Sequence, residues 1–281
     1  MQLVAVTIFP LKGARGIAVP AADMEPRGLK DDRRWMLVDP RGRCVTQREM
    51  PALARLVAEP IPQGIRLSFD GDAAEIEVPS AEADRIPVTI WNSSLLLPEA
   101  KPAAKWLSRA FAQPLGLVFQ PDDARRPVED HAEDIDEVSL ADGFPILIVT
   151  TASFEALRRE VGPDLLMSRF RPNLVIDGAA AWEDDGWASI RVGAVEMDVV
   201  KPCPRCAVTT VDQERGVFAG DEPLATLRRI RMSGDRRVVG VLFGWNAIPR
   251  RLGTVRVGDT VEVIGAREPW PIRPERHAEM A

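Results

Sequence analysis

Residues 201–216 read KPCPRCAVTTVDQERG, which sets two thiols three residues apart, with Pro202 and Pro204 flanking the first and Lys201 and Arg205 close by. Four readings of Cys203 and Cys206 compete. Structural zinc needs about four ligands, and the chain has three cysteines and two histidines, His131 in an acidic stretch and His277 near the C-terminus. A redox pair of the thioredoxin kind sits at a helix N-terminus, where the dipole lowers the thiol pKa; here Cys206 is followed by β-prone Ala-Val-Thr-Thr-Val. Two buried cysteines can also act simply as small hydrophobes. The fourth reading is one thiolate on a soft, redox-active metal, with Lys201 and Arg205 offering positive charge to a bound anion. Spacing alone leaves all four open.

The rest of the chain narrows the class. Its 281 residues, 46% of them hydrophobic, can bury a sizeable core without disulfide staples. With 36 basic against 42 acidic residues the net charge is −6, so no overall positive field is available to hold a nucleic-acid backbone. The opening MQLVAVTIFPLKG meets Pro10 and Lys12 before it reaches the length of a signal-peptide core, and no 18-residue uncharged apolar run follows. A cytoplasmic protein with no membrane span is expected, its thiols reduced or metal-bound.

Outward from the thiols, short apolar runs dominate. LVAVTIFP, RRWMLVDPRGRCVTQ, IRLSFDGDAAEIEVP and IPVTIWNSSLLLP, broken by Asp-Pro-Arg-Gly and Asp-Gly-Asp, predict hairpin-connected strands curled into a small barrel over 1–120. EAKPAAKWLSRAFAQPLG has the spacing of a helix ended by Pro114, expected as the hinge to the second half. Residues 121–143 are so charged that they read as a solvated surface loop, closing on Asp142 before the buried run FPILIVT. TASFEALRREVG and DEPLATLRRIRM predict helices. RPNLVIDG, ASIRVGAVEMDVVKP, CAVTTVD, VVGVLFGWNAI and TVRVGDTVEVI predict strands, the last as a closing hairpin. The expected fold is mainly β with peripheral helices (α+β): an N-terminal β-barrel-like domain over 1–120, a second β-barrel over 121–265, and a loose tail over 266–281. No G-x-G-x-x-G or Walker-type loop is present, which disfavours nucleotide-binding folds.

KPCPRCAVTTVDQERG closely resembles the signature of MOSC domains. RFRPNLVI (169–176), WEDDGWASIRVG (182–193), FGWNA and VRVGDTVEV resemble further landmarks of that domain, in the same order. FPLKGARG (9–16), EPRGLKDDRRWMLVD (25–39) and VTQREMPALA (45–54) look like the β-barrel domain that precedes it. The nearest functional analogy is the group of the mitochondrial amidoxime-reducing component and its bacterial relatives. That resemblance implies a molybdenum cofactor, molybdopterin with its metal bound through one cysteine, and a molybdenum-dependent oxidoreductase that reduces small N-hydroxylated compounds.

Position by position, the resemblance makes Cys206 the metal ligand and Cys203 a neighbour. Asp142 matches an acidic catalytic position, and Lys12, Arg33 and Arg171 match positions that hold pterin and phosphate, with Arg205 beside them. Gly13 stands where some relatives have serine. With one cysteine outside the pair the chain cannot supply four thiolates to a two-iron cluster, so electrons are expected from a separate ferredoxin-like, flavin or haem protein. Two other functions are compatible with the same motif. One is a non-catalytic carrier or delivery protein for the cofactor or sulfur. The other is a pyridoxal-phosphate-linked sulfurase module, which needs a Schiff-base lysine, with Lys12 and Lys201 as its candidates.

Overall fold

The computed structural model describes residues 1–273, and its architecture is mostly β with three short helices, as the apolar runs predict. The largest sheet has eight strands: β1 (Gln2–Ile8), β2 (Ile17–Val19), β3 (Ile146–Thr150), β4 (Leu174–Asp177), β5 (Trp187–Val192), β6 (Val195–Pro204), β7 (Leu242–Arg251) and β8 (Val261–Ala266). They lie in the order β2-β1-β4-β3-β7-β6-β5-β8, with β3 parallel to β4 and the other pairs antiparallel. Alternation along these strands points Leu3, Val6, Ile148, Leu174, Ile190, Met197 and Trp245 into one core. A second core, around Leu11, Trp35, Leu37, Leu53, Leu67, Leu107 and Leu117, belongs to the N-terminal segment.

The first eight residues lie outside that second core and pair with β2 of the same segment. β1 is held against β4 through Leu3↔Ile176 and Val6↔Leu174, and its residues share the core of the large sheet. The TVRVGDTVEVIG stretch is not a hairpin. Gly253–Arg256 pairs with Ala21–Glu25, while β8 pairs with β5. The backbone between them is occupied by β1, with Leu3 N donating to Asp259 O and Gly258 N to Leu3 O. Helix α1 (Ala103–Phe111) buries Ala103, Trp106 and Leu107 in the N-terminal core, so it is part of one half and not a hinge between two.

Residues 121–143 also depart from their charged appearance. Ala124, Arg126 and Val128 are buried on alternate positions, and Val138, Ser139, Leu140 and Ala141 are buried on the return, so the segment is a strap with one embedded edge. The expected loose tail begins docked: Trp270 is buried against Trp245, and its Nε1 donates to Ser233 Oγ at 3.3 Å. Residues 274–281 of that tail, His277 included, lie outside the described residues. Among the described residues no helix is long and apolar enough to cross a membrane.

One buried carboxylate carries a pH signature. Helix α2 (Thr151–Val161) is capped by Thr150, and Ser153 Oγ donates to Asp184 Oδ1 at 3.0 Å. Burial, and then the neighbouring Asp185, pushes the Asp184 carboxyl up from 3.8 to about 6. An acid with a raised folded pKa keeps its proton after the unfolded chain has lost its own, so stability falls as pH rises from about 4 to about 6. Asp184→Asn is expected to flatten that window and to raise unfolding free energy at pH 7 by about 2 kcal/mol. Urea unfolding at pH 4.5 and pH 7 checks this; parallel losses in both proteins would refute it.

Candidate functional site

Strand β6 ends on Lys201-Pro202-Cys203-Pro204, and the prolines, which have no N–H to donate, break its ladder with β7. The register runs Lys201↔Asn246, Pro202↔Trp245, Pro204↔Leu242, with an irregularity that sets two residues of β7, Phe243 and Gly244, opposite Cys203. Ala207–Thr210 is a 3₁₀ turn and not the strand its β-branched residues predict. Thr209 Oγ1 donates to Cys206 O at 2.9 Å and Thr210 Oγ1 to Ala207 O at 2.8 Å, local bonds that compete with a ladder. Cys206 is the residue preceding the turn, half-buried on the wall of a cleft.

That cleft lies between the two cores and spans about 920 Å³ with the open solvent at its mouth included. Its walls bring together all six residues singled out in the sequence, Lys12, Arg33, Asp142, Arg171, Arg205 and Cys206, with Cys203 beside them. Lys12 Nζ donates to Asp142 Oδ1 at 2.5 Å, across 130 residues of chain; the lysine side chain is 6% exposed and the aspartate 72%, opening to the cleft. Crowding by the walls pushes the Asp142 carboxyl up, but Lys12, then Arg48 and Arg33, outweigh it and hold the group well below the usual carboxylate range.

Arg33 and Arg171 sit on one aromatic ring, each guanidinium carbon 4.2 Å from the Phe9 centroid. Both have left-handed backbones, with φ of 47° and 55°, which turn their side chains back into the cleft. Arg33 Nη1 donates to buried Asp32 at 2.6 Å and to Asn173 Oδ1 at 3.0 Å. Arg171 Nη1 donates only to the Ala14 carbonyl, at 2.6 Å. Burial, and then Arg33, pushes Arg171 down to about 9, so it remains a cation at neutral pH.

Arg205 is committed to the wall. Its Nε donates to Phe243 O at 2.8 Å and its Nη1 to Phe170 O at 3.0 Å, which leaves buried Nη2 without a partner. Lys201 is drawn off to Asp130 at 2.6 Å, so both lysines considered for a Schiff base stand as ion-paired ammonium groups.

Several residues at the site carry no signal in their spacing. Arg48 stacks on Trp91 at 4.4 Å and faces the Cys206 thiol, which with Asp142 keeps its guanidinium strongly charged against the opposing effect of burial. Trp91 roofs the mouth from a hairpin tip with φ of 52°. Asn173 and Asp32 brace Arg33 from behind. Arg48 falls inside the quoted VTQREMP stretch, so a closer reading of that segment could have found it.

Charge decides what the cleft accommodates. Lys12, Arg33, Arg48, Arg169, Arg171 and Arg205 line it against the single carboxylate Asp142. Among the described residues no salt bridge joins Arg48, Arg169, Arg171 or Arg205 to a carboxylate. A desolvated cationic surplus of this kind is relieved by an anion. Among the described residues no group of three or more His, Cys, Asp or Glu converges on one point. A metal at Cys206 would therefore bring further ligands with it. An anionic organic cofactor that carries its own metal fits both observations.

Comparison with known proteins identifies the family. Residues 136–262 match the model of the MOSC domain, and residues 1–114 match that of the MOSC N-terminal beta barrel domain. Mitochondrial amidoxime-reducing component 1 of Danio rerio is 31% identical over 282 residues, covering 92% of this chain and 83% of its own. The chain belongs to the amidoxime-reducing component family of MOSC proteins. Human amidoxime-reducing components 1 and 2 are each 30% identical, over 92% and 90% of this chain and 81% of their own length in both cases. Within this MOSC family member the two matched regions meet at the cleft, with Lys12, Arg33 and Arg48 from one and Asp142, Arg171 and Cys206 from the other.

Proposed function

We propose that this protein is a molybdenum-cofactor oxidoreductase that reduces small N-hydroxylated compounds. The observation that carries the reading is the meeting, in one cleft, of a half-buried thiol and a set of arginines with no carboxylate to neutralise them. Cys206 would ligate the metal, and Lys12, Arg33 and Arg171 would hold the anionic end of the cofactor, where a planar guanidinium matches phosphate or pterin edges. When bound, the cofactor supplies a centre that takes up the N–OH oxygen and exchanges two electrons; with two protons the products are amine or amidine and water.

The chain's own contribution is position and field. Asp142, kept ionised by Lys12, accepts and orients the N–OH hydrogen bond at the cleft mouth and does not act as a resident acid at neutral pH. Arg48 places a positive charge beside the Cys206 sulfur. Arg205 fixes the wall on which that sulfur stands. Electrons would come from a separate electron-transfer protein.

The test is metal content by plasma mass spectrometry on protein made in a cofactor-competent host, followed by turnover of an amidoxime with an artificial electron donor. Near-stoichiometric molybdenum with amidine formation is expected. Bound molybdenum without turnover of any N-hydroxylated compound would favour a carrier, and protein without molybdenum would remove the cofactor from the reading.

A further inference from the structure

Arg126 lies in the strap that composition assigns to solvent, yet it is 1% exposed and among the largest fully buried side chains in the molecule. Its Nη1 donates to Ser139 O at 3.1 Å and Ala141 O at 2.5 Å, its Nη2 to Asp142 O at 3.1 Å, and its Nε to Ser93 Oγ at 3.1 Å. No carboxylate among the described residues accepts from it. Burial lowers its pKa, which marks an ion held against an opposing desolvation cost.

The bonds converge from two sides of the cleft. Three carbonyls belong to the return limb of the strap that ends in Asp142, and Ser93 stands two residues beyond Trp91 on the opposite hairpin. Arg126 itself does not line the cleft. We propose that Arg126 is a positioning residue, whose guanidinium fixes the Asp142 strap to the Trp91 hairpin and so sets the carboxylate against Lys12 and the reacting centre. Resting on the reductase reading above, this inference identifies what holds its acidic group in place. A single planar fork is required because three carbonyls and a hydroxyl lie around it. Lysine offers three donors from one point and cannot span both sides.

The experiment uses Arg126→Lys, with Ser93→Ala as a milder second variant that removes only the hairpin bond. In cofactor-loaded protein, Arg126→Lys is expected to lower kcat about tenfold with KM within about twofold. In an Asp142→Asn background the same change is expected to lower kcat by less than about twofold, because the positioned group is already gone. Losses that multiply in the double variant would make Arg126 a merely structural residue and overturn the proposal.

A second readout needs no turnover. In cofactor-free protein, carbon-13 titration of Asp142, assigned by its loss in Asp142→Asn, should move toward the ordinary carboxylate range in Arg126→Lys and, by less, in Ser93→Ala, as the carboxylate drifts from Lys12, Arg48 and Arg33. An unchanged titration in a folded Arg126→Lys protein refutes positioning. A shifted titration in a protein that reduces no N-hydroxylated compound refutes the reductase reading and leaves the positioning role standing.

Discussion

Cys206→Ser protein is expected to emerge from a cofactor-competent host without molybdenum and without amidoxime reduction, while Cys203→Ser protein keeps both. Both thiols border the cleft, so proximity does not distinguish them. Their surroundings do. Cys203 lies between two prolines at the end of β6, opposite the bulge in β7, and burial raises its thiol pKa against the smaller opposing pull of Arg205. That burial opposes the thiolate form, which a metal ligand must take. Cys206 stands on the open wall, its sulfur faced by the Arg48 guanidinium. Loss of a metal-binding thiolate should reduce retention by at least about 100-fold, beyond the effect of losing a supporting hydrogen bond. Metal analysis of the two variants side by side decides the assignment. Molybdenum retained in Cys206→Ser and lost in Cys203→Ser would reverse it.

Arg171→Met is expected to divide stability from function with opposite signs. In the cofactor-free chain Arg171 is a cation on a phenyl face, near a second cation, with a single carbonyl as its partner. A base whose folded pKa falls to about 9, well below the usual arginine range, is disfavoured in its charged form by folding. It therefore weakens the fold at neutral pH, and the penalty eases only as pH rises past 9. A flexible apolar side chain of similar length should raise the unfolding free energy of the cofactor-free protein by about 1 to 2 kcal/mol. The same substitution removes a charge-assisted bond to the cofactor anion and should weaken cofactor retention by about 100-fold. Denaturant unfolding of the cofactor-free pair and cofactor content of the loaded pair read the two halves separately. A variant that is less stable and equally well loaded would place the anion elsewhere.

The share of this molecule legible in the sequence follows how local its causes are. The alternation in LVAVTIF or ASIRV and the turn chemistry between them are carried by neighbouring residues, and the mainly β architecture can be read from them. The meeting of these six residues at one cleft was legible through resemblance and not through spacing; nothing in a lysine after Phe-Pro-Leu says that it will meet an aspartate 130 residues later. Arg126 was illegible for a different reason. Charge predicts solvent only until enough carbonyls converge to replace water, and that convergence is made by chain that is remote in sequence or folded back on itself. The Thr209 and Thr210 turn shows propensity overridden locally, by hydroxyls that bond to carbonyls three residues behind them.

The placement of β1 has a consequence for synthesis on the ribosome. Its partner β4 lies about 170 residues downstream, with Gln2 paired to Asp177. At roughly 5 to 20 residues per second, the first strand leaves the tunnel roughly 10 to 35 seconds before the strand that covers it. During that interval the N-terminal core can close behind it and β2 can pair one edge of β1, while the edge that β4 covers stays unpaired. β1 thus waits with one open edge, and the strand that covers it is translated only after the strap and the third sheet strand have followed.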